Sequence, residues 1–205
     1  MSSPVRSSPL ALTVLALLHY KPLHPYGVQR LIKQWGKDQV VNVGQRAGLY
    51  RTIERLRAAE LITVQQTERD QLYPERTVYE ITDAGRAVAR QWLREMLGTP
   101  RQEFPEFPAA LSHLLMLTPQ EALEVLQRRV DLLTAALAQL DARLAEHREL
   151  PRVSMLEFEY QRAVTTAELH WLRSVVEPLR TGRLSWSREG MQRFAPDPID
   201  HDHGR

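Results

Sequence analysis

The side chains with the most directional chemistry in this chain lie close together, near residues 45–50. Gln45, Arg46 and Tyr50 stand at the start of a helical pattern. An arginine can donate two hydrogen bonds to guanine, a glutamine can pair with adenine, and a tyrosine can contact a phosphate or a thymine methyl group. The first residues of a helix inserted in the major groove are the ones that face base edges. We therefore expect Gln45 and Arg46 to contact base edges and Tyr50 to meet a phosphate or a thymine methyl group.

Two arginines follow on the same pattern, one helical turn apart. Arg51 and Arg55 suit phosphates, and phosphate contacts position a protein on a duplex without reading its sequence. For Arg55 the alternative is an ion pair on the helix surface, with Glu54 or Glu60. Gly48 leaves the start of the helix open, and hence which residues face bases, because glycine is unfavourable inside a helix.

Three more candidates lie outside this helix. Arg69, Gln71 and Arg76 surround the tip of a predicted hairpin, where basic side chains can enter a minor groove or touch the backbone. A solvated hairpin is the alternative. Tyr26 opens the preceding helix and could offer its hydroxyl group and local backbone N–H groups to a phosphate. Its alternative is a packed core tyrosine.

The charge distribution favours a polyanionic partner for the first half of the chain. Residues 1–98 contain 14 basic and 9 acidic side chains, a net charge of +5, whereas residues 99–205 contain 13 and 16, a net charge of −3. Within residues 21–57 the counts are 8 basic and 2 acidic. Such an asymmetry is typical of a basic nucleic-acid-binding domain joined to a more acidic one.

Other kinds of site find little support. The chain has no cysteine, which excludes disulfides, thiolate metal sites and a cysteine nucleophile. His201-Asp202-His203 sits in a polar tail, and no other histidines have ligand spacing, so we expect no metal and no cofactor. Glu157 and Glu159 point to opposite sides of a helix and cannot form a catalytic pair. The sequence predicts a protein that is not an enzyme and, lacking cysteine, is compatible with the cytoplasm.

The periodicity of residues 9–98 predicts a winged helix-turn-helix domain. After a loose arm at residues 1–8, three short helices are expected, followed by strands near residues 61–64 and 77–81 and by a fourth helix that ends near residue 97. A β-hairpin after the third helix is the winged arrangement. The apolar run from Leu10 to Leu18 is too short to span a bilayer, so no membrane partner is expected.

The second half predicts a helical dimerisation domain at residues 109–185, after a proline-rich linker at residues 99–108 and before a disordered tail at residues 186–205. Its long helix begins at Thr118-Pro119-Gln120-Glu121 and carries a 3.5-residue apolar repeat. The alternatives are pairing between two chains, an intrachain hairpin with the last helix, or both. The expected dimer-interface residues are Leu123, Leu126, Val130, Leu133, Leu137, Leu140, Leu144 and Trp171.

Four aromatic residues lie near the expected junction of the two domains. Trp92 closes the first domain, Phe104 and Phe107 flank the linker, and Trp171 lies in the last helix. Together they could line a pocket for a small-molecule effector. The alternative is that each of them simply packs in a core.

Short motifs in this order resemble the PadR family of transcriptional regulators, in its two-domain branch. The resemblance covers residues 9–185. It is carried by Leu15-Ala16-Leu17-Leu18, Pro25-Tyr26-Gly27-Val28, Gly48-Leu49-Tyr50-Arg51-Thr52-Ile53-Glu54-Arg55-Leu56, Glu60-Leu61-Ile62, Tyr79-Glu80-Ile81-Thr82-Asp83-Ala84-Gly85 and Phe107-Pro108-Ala109-Ala110-Leu111-Ser112.

The resemblance implies a mostly α-helical homodimer with an N-terminal winged helix-turn-helix and a C-terminal antiparallel, coiled-coil-like dimerisation domain. Family members bind a pseudo-palindromic double-stranded operator, are usually repressors, and in some cases release DNA on binding a small aromatic or lipophilic molecule. The alternative function is a dimeric protein-interaction adaptor that uses the winged-helix fold without DNA. The salt dependence of DNA binding separates the two functions, because phosphate contacts weaken steeply as salt rises.

Overall fold

The structure, a computed structural model, describes residues 6–37, 40–41, 46–68 and 76–187. The chain divides into two compact units, residues 1–102 and 103–205. The division falls inside the segment for which the sequence predicts a linker. Within the described residues, no helix combines the length and the apolar character needed to cross a membrane.

The first unit has the predicted order of three helices, a hairpin and a fourth helix. Helix α1 begins properly because the Ser8 hydroxyl accepts a hydrogen bond from the Ala11 N–H at 3.2 Å and Pro9 occupies the first helical position. The elements are α1 (Pro9–Tyr20), α2 (Pro25–Gln34), α3 (Arg46–Ala58), β1 (Ile62–Glu68), β2 (Arg76–Ile81) and α4 (Asp83–Gly98).

One apolar core joins these elements. Leu15 of α1, Ile32 of α2, Leu49 and Leu56 of α3, and Ile62 of β1 are almost fully buried. Trp92 from α4 closes the same cluster. Because one side of α3 packs in this core, the helix is fixed in place and the side chains of its opposite side face solvent.

The hairpin is connected to the rest of the unit by backbone as well as side chains. Strands β1 and β2 pair antiparallel with Ile62 opposite Ile81, and the register shifts at a bulge between Val64 and Gln66. Leu23, between α1 and α2, also exchanges two backbone hydrogen bonds with Tyr79 of β2, at 3.0 and 2.9 Å. This third short strand segment, absent from the sequence prediction, fixes the hairpin against the start of α2.

The turn from α3 into β1 has an unusual residue in it. The Glu60 N–H donates to the Arg57 carbonyl at 2.9 Å, and the Leu61 N–H donates to the Leu56 carbonyl at 3.0 Å, which together form a Schellman motif. Glu60 itself has a φ of 59°, in the left-handed region where glycine is usual. Thr82 then caps α4 and donates to the Glu60 carbonyl at 2.8 Å, so this turn also supports the last helix.

The second unit is a helical hairpin with a short helix before it. Its elements are α5 (Glu106–Leu111), a 3₁₀ turn (Leu114–Met116), α6 (Pro119–Glu146), a second 3₁₀ turn (Arg152–Ser154) and α7 (Leu156–Arg180). The linker predicted at residues 99–108 overlaps the first three residues of α5. Pro108 lies in the first turn of α5, where a missing N–H is tolerated, so the helix begins before this proline and not after it.

The apolar seam of α6 packs against α7 of the same chain. Leu126, Val130 and Leu140 are buried there, facing Leu169, Leu172 and Val176 or Phe158 of α7. The other seam residues, Leu123, Leu133, Leu137 and Leu144, are half-buried around the same contacts. An intrachain hairpin, one of the alternatives from the sequence, is therefore present.

The folded part of this unit extends past α7. The Trp186 indole N–H donates to the Leu117 carbonyl at 2.8 Å, and its ring packs against the core of the helical hairpin. The Leu184 N–H also donates to the Pro178 carbonyl at 3.0 Å. The sequence placed the end of the domain at residue 185, one residue before this anchor.

Candidate nucleic-acid interface

The exposed face of α3 brings together the residues that the sequence singled out. Leu49, Ile53 and Leu56 are buried on one side of the helix, so residues of the opposite side point to solvent. Those exposed residues are Ala47, Tyr50, Arg51, Glu54, Arg55, Arg57 and Ala58. The face is therefore rich in guanidinium groups and has a small residue near each end, which allows close approach of the backbone to a partner.

The two arginines predicted to contact phosphates are available to do so. Arg51 is exposed and its Nε donates to the Ala47 carbonyl at 3.2 Å, which holds the side chain along the helix. Arg55 is exposed and has a long contact, 3.5 Å, with the Thr52 hydroxyl. Within the described part of the chain Glu54 pairs with Arg57, at 2.9 Å, and not with Arg55. Among the described residues, no acidic side chain therefore neutralises the Arg55 guanidinium.

The carboxylate of Glu54 also meets the hairpin. The Tyr79 hydroxyl donates to Glu54 Oε1 at 3.4 Å. Burial of the phenol, with the nearby Glu54 carboxylate as a second cause, raises the pKa of Tyr79 above its usual value of 10.0. Tyr79 therefore stays protonated at physiological pH and remains a donor to Glu54.

Tyr26 lies at the surface, at the start of α2. Its side chain is 54% exposed and stacks on the His24 ring at 5.8 Å, so the core alternative does not hold. Its backbone N–H, however, already donates to His24 Nδ1 at 3.0 Å. Of the groups that Tyr26 itself could offer to a phosphate, the backbone N–H is therefore occupied and the hydroxyl remains.

Several predicted contact residues are described only in part. Gln45, Arg69 and Gln71 lie outside the described residues, as does the polar tail with His201 and His203. Arg46 is the first residue of α3 and Arg76 the first of β2, and for both only the backbone is described. Because Arg46 is the first residue of α3, it lies at the end of the helix that is expected to face bases.

The four aromatic residues proposed for an effector pocket differ in their burial and in the unit to which they belong. Trp92 is a core residue of the first unit, whereas Phe104 of the second is 88% exposed. Phe107 and Trp171 do meet, edge to face with ring centroids 6.0 Å apart. The Arg129 guanidinium lies 3.7 Å from the centre of the Phe107 ring and pairs with Glu168 at 2.6 Å.

Two surface grooves of the second unit lie away from these aromatic residues. They have volumes of about 420 and 260 Å³, and Gln127 and Arg180 line both. The Arg180 guanidinium donates to the Gln127 side chain at 2.6 Å, so this hydrogen bond joins two residues that line both grooves. Acidic and basic side chains alternate along the walls, so neither groove selects one sign of ligand charge.

Residues 14–91 match the model of the transcriptional regulator PadR-like family. The chain contains a PadR-like domain. The matched residues run from the middle of α1 to the middle of α4 and include all of α2, α3 and the hairpin. A search of curated proteins found no match.

Solved structures share the fold over both units. PadR of Bacillus subtilis in complex with operator DNA superimposes with a TM-score of 0.71 at 20% identity, over 84% of this chain and 99% of that one. PadR from the same organism in complex with p-coumaric acid gives 0.66 at 18% identity, over 83% and 98%. The Vibrio cholerae virulence activator AphA gives 0.61 at 18% identity, over 84% and 99%. The PadR-like domain and the helical hairpin therefore occur together in known proteins.

Sequence reasoning missed two features of the PadR-like domain that shape the candidate interface. The Glu54–Arg57 ion pair has helical i, i+3 spacing, so that spacing was a usable signal. The Leu23–Tyr79 backbone pairing has no such signal, since it joins segments more than fifty residues apart through groups that every residue carries.

Proposed function

We propose that this protein is a homodimeric, sequence-specific DNA-binding transcriptional regulator. The observation that carries the proposal is the outward face of α3, where Arg51, Arg55 and Tyr50 are exposed on a helix supported by a PadR-like domain. A helix of this kind fits the major groove, with Arg46 and Tyr50 toward bases and Arg51 and Arg55 toward phosphates. Arg69, Gln71 and Arg76 of the hairpin would add contacts beside it, in a protein that acts on DNA in the cytoplasm.

A repressor released by a small aromatic effector is the proposed regulatory mode. Support comes from the similar Bacillus subtilis structures, one with operator DNA and one with p-coumaric acid. In this chain, Phe107 and Trp171 form an aromatic pair in the second unit, beside the cationic Arg129. An aromatic carboxylate suits such a combination of ring surface and guanidinium.

Dimerisation is proposed to use the second apolar face of α7. One side of α7 is buried against α6, but Leu156, Tyr160, Val164 and Trp171 project from the other side, with exposed fractions between 41% and 71%. These positions recur at helical spacing and so form one stripe. Side chains such as Leu126 and Leu140, already buried within the chain, cannot be buried again by a partner. Of the interface residues predicted from sequence, Trp171 is the one that lies on this stripe.

A measurement of the oligomeric state tests whether this face of α7 is the dimer interface. The variant Tyr160→Lys places a charge in the middle of the stripe and should give a monomer in sedimentation equilibrium, whereas wild type sediments as a dimer. Tyr20→Lys makes the same chemical change at a tyrosine that is 77% exposed in the first unit, and should leave the dimer intact. A Tyr160→Lys protein that remains dimeric would place the interface elsewhere.

DNA binding is tested by fluorescence anisotropy with DNA from upstream of the gene, over a series of salt concentrations. Wild type should prefer this DNA to random duplex, and its affinity should fall steeply with salt because phosphate contacts release counterions. Arg51→Ala should weaken binding to all sequences and reduce the salt slope, whereas Arg46→Ala should relax sequence preference. Equal, salt-insensitive binding to all DNA would favour the adaptor function.

A further inference from the structure

An acidic residue occupies the centre of the face that is proposed to meet DNA. Glu54 lies on the exposed side of α3, and its side chain is 54% exposed. Tyr50 and Arg51 precede it by one turn, and Arg55 and Arg57 follow it. A carboxylate here is repelled by phosphates, so it lowers the affinity of the face for DNA in general. Glu54 at this position must therefore have a function other than raising the affinity for DNA in general.

The carboxylate is held in place by two donors from different elements. The Arg57 guanidinium pairs with Oε2 at 2.9 Å, and the Tyr79 hydroxyl reaches Oε1 at 3.4 Å. Tyr79 is buried, and its backbone is fixed by the two hydrogen bonds to Leu23. A carboxylate has about four acceptor positions, so acceptor capacity remains on the solvent side after these two contacts. Glu54 thus presents an oriented acceptor outward.

Stability alone is a weak reason for this arrangement. An exposed i, i+3 ion pair contributes little to stability, and the contact to Tyr79 is long for a hydrogen bond. Either contribution is small compared with the effect of a misplaced charge in a DNA interface. The arrangement of donors does, however, suit a role in which the direction of the carboxylate matters.

We propose that Glu54 is a specificity-determining residue that accepts a hydrogen bond from the exocyclic amino group of cytosine or adenine in the major groove. This inference rests on the proposed DNA-binding function. Cytosine N4 and adenine N6 present donors in the major groove, whereas guanine O6 and thymine O4 present acceptors that a carboxylate repels. Glu54 therefore weakens binding to the wrong bases more than it strengthens binding to the right one. The result is a lower affinity for DNA in general and a higher sequence specificity.

The test is selection of binding sites from a randomised operator library, with the full-length wild type and the variant Glu54→Gln. Wild type should select cytosine or adenine at one position of each half-site, and which of the two is enriched identifies the amino group. Glutamine can donate as well as accept and pairs bidentately with adenine, so the variant should move the preference at that position to adenine or, if adenine was already selected, relax the exclusion of guanine and thymine. The discrimination at that position should change by on the order of tenfold.

Two further variants separate base reading from loss of charge or of fold. Glu95→Gln removes the same charge from α4, where the Glu95 carboxylate accepts from the Gln91 amide, and should leave the selected sequence unchanged. Tyr79→Phe keeps the Glu54 carboxylate but removes its donor from the hairpin, and should weaken the preference at that one position. Each variant is compared with wild type in a thermal melt, so that only folded proteins are interpreted.

The outcomes distinguish this inference from the function on which it rests. Wild type with a selected sequence and Glu54→Gln with the same preferences at every position overturn the inference and leave the regulator intact. A wild type that selects no sequence overturns the proposed function, and this inference with it. A changed preference confined to one position supports the inference, because loss of a structural ion pair would weaken all positions alike.

Discussion

At the scale of single residues, the left-handed Glu60 is a local weakness in the first unit. A side chain with a Cβ atom costs about 1 kcal/mol in this conformation relative to glycine. Glu60 is exposed, and the Schellman motif around it uses only backbone atoms. We therefore expect Glu60→Gly to raise the free energy of unfolding by about 1 kcal/mol, as measured by urea denaturation.

The matched control for this variant is Glu60→Ala. Alanine removes the same charge but keeps the Cβ atom, so it should give no comparable gain. If both substitutions stabilise the protein equally, the charge of Glu60, and not its backbone conformation, is the source of the effect.

Gly85 is required for a different reason, a close approach between two elements. A Cβ atom at this position in α4 would lie 2.0 Å from the Leu61 carbonyl oxygen and 2.9 Å from Ile81 Cγ1. The first of these is a backbone atom within the turn that Thr82 and Glu60 stabilise, so it cannot move aside alone. We expect Gly85→Ala to destabilise the fold by about 2 kcal/mol or more, seen as a lower denaturation midpoint.

The same helix offers a glycine for comparison. A Cβ atom at Gly98, the last residue of α4, would meet nothing within 4 Å. Gly98→Ala should therefore be neutral or slightly stabilising. A loss at Gly98 as large as the loss at Gly85 would show that the contact with Leu61 is not the cause, because Gly98 has no such contact.

At the scale of elements, the start of α6 depends on a charged carboxylate. The Glu121 side chain accepts from the Thr118 N–H at 2.7 Å and from its hydroxyl at 2.8 Å. These two hydrogen bonds, the backbone one first, lower the pKa of Glu121 below its usual value of 4.5. A folded pKa below the unfolded one means stability that is present above about pH 4.5 and lost as the pH falls through the folded pKa.

A comparison of the stability of Glu121→Gln with that of wild type between pH 7 and pH 3 tests the capping box. The variant should be less stable than wild type at pH 7, and the difference should shrink as the pH falls through the folded pKa. Glu124→Gln, on the same helix, removes the same charge outside the capping box and should be closer to wild type in stability at pH 7 than Glu121→Gln is. Urea midpoints measured from pH 7 to pH 3 give the comparison.

How well the sequence predicted each element depended on whether its signals were local. The start of α6 was predicted correctly because Thr118, Pro119 and Glu121 form a complete capping box in four residues. The predicted linker overlapped the start of α5 because Pro108 is compatible with a helix start on either side of it. The partner of the α6 seam was left open, since a 3.5-residue repeat requires a facing helix but does not say which chain supplies it.

The candidate site was predictable to the level of a helix face, but not of contacts. Charge counts and periodicity identified the exposed arginines of α3, because helical spacing dictates which residues share a face. The hydrogen bond from the Tyr79 hydroxyl to the Glu54 carboxylate depends on how the hairpin packs against α3. No periodic pattern in the sequence indicates such a tertiary contact. The backbone N–H of Tyr26 donates to the His24 ring, two residues before it, in a helix cap that was not predicted.

At the scale of the whole molecule, the proposed dimer should bind DNA more tightly than one subunit alone. Two linked winged helices on a pseudo-palindrome bind with an effective concentration that raises affinity on the order of 100-fold over one alone. Tyr160→Lys should therefore lower affinity for the full operator by about this factor, yet leave affinity for an isolated half-site unchanged. Anisotropy with both duplexes measures this, and an equal loss on both would indicate damage to the DNA-binding unit.

The pairing of Leu23 with Tyr79 has a consequence for mutagenesis. Because the link is made by backbone N–H and C=O groups, replacing either side chain with alanine leaves both hydrogen bonds in place. An alanine scan of the first unit would therefore report the packing of these residues and miss the bond that holds the hairpin beside α2. Detecting it requires a change in the main chain itself, such as an ester in place of the Leu23 amide.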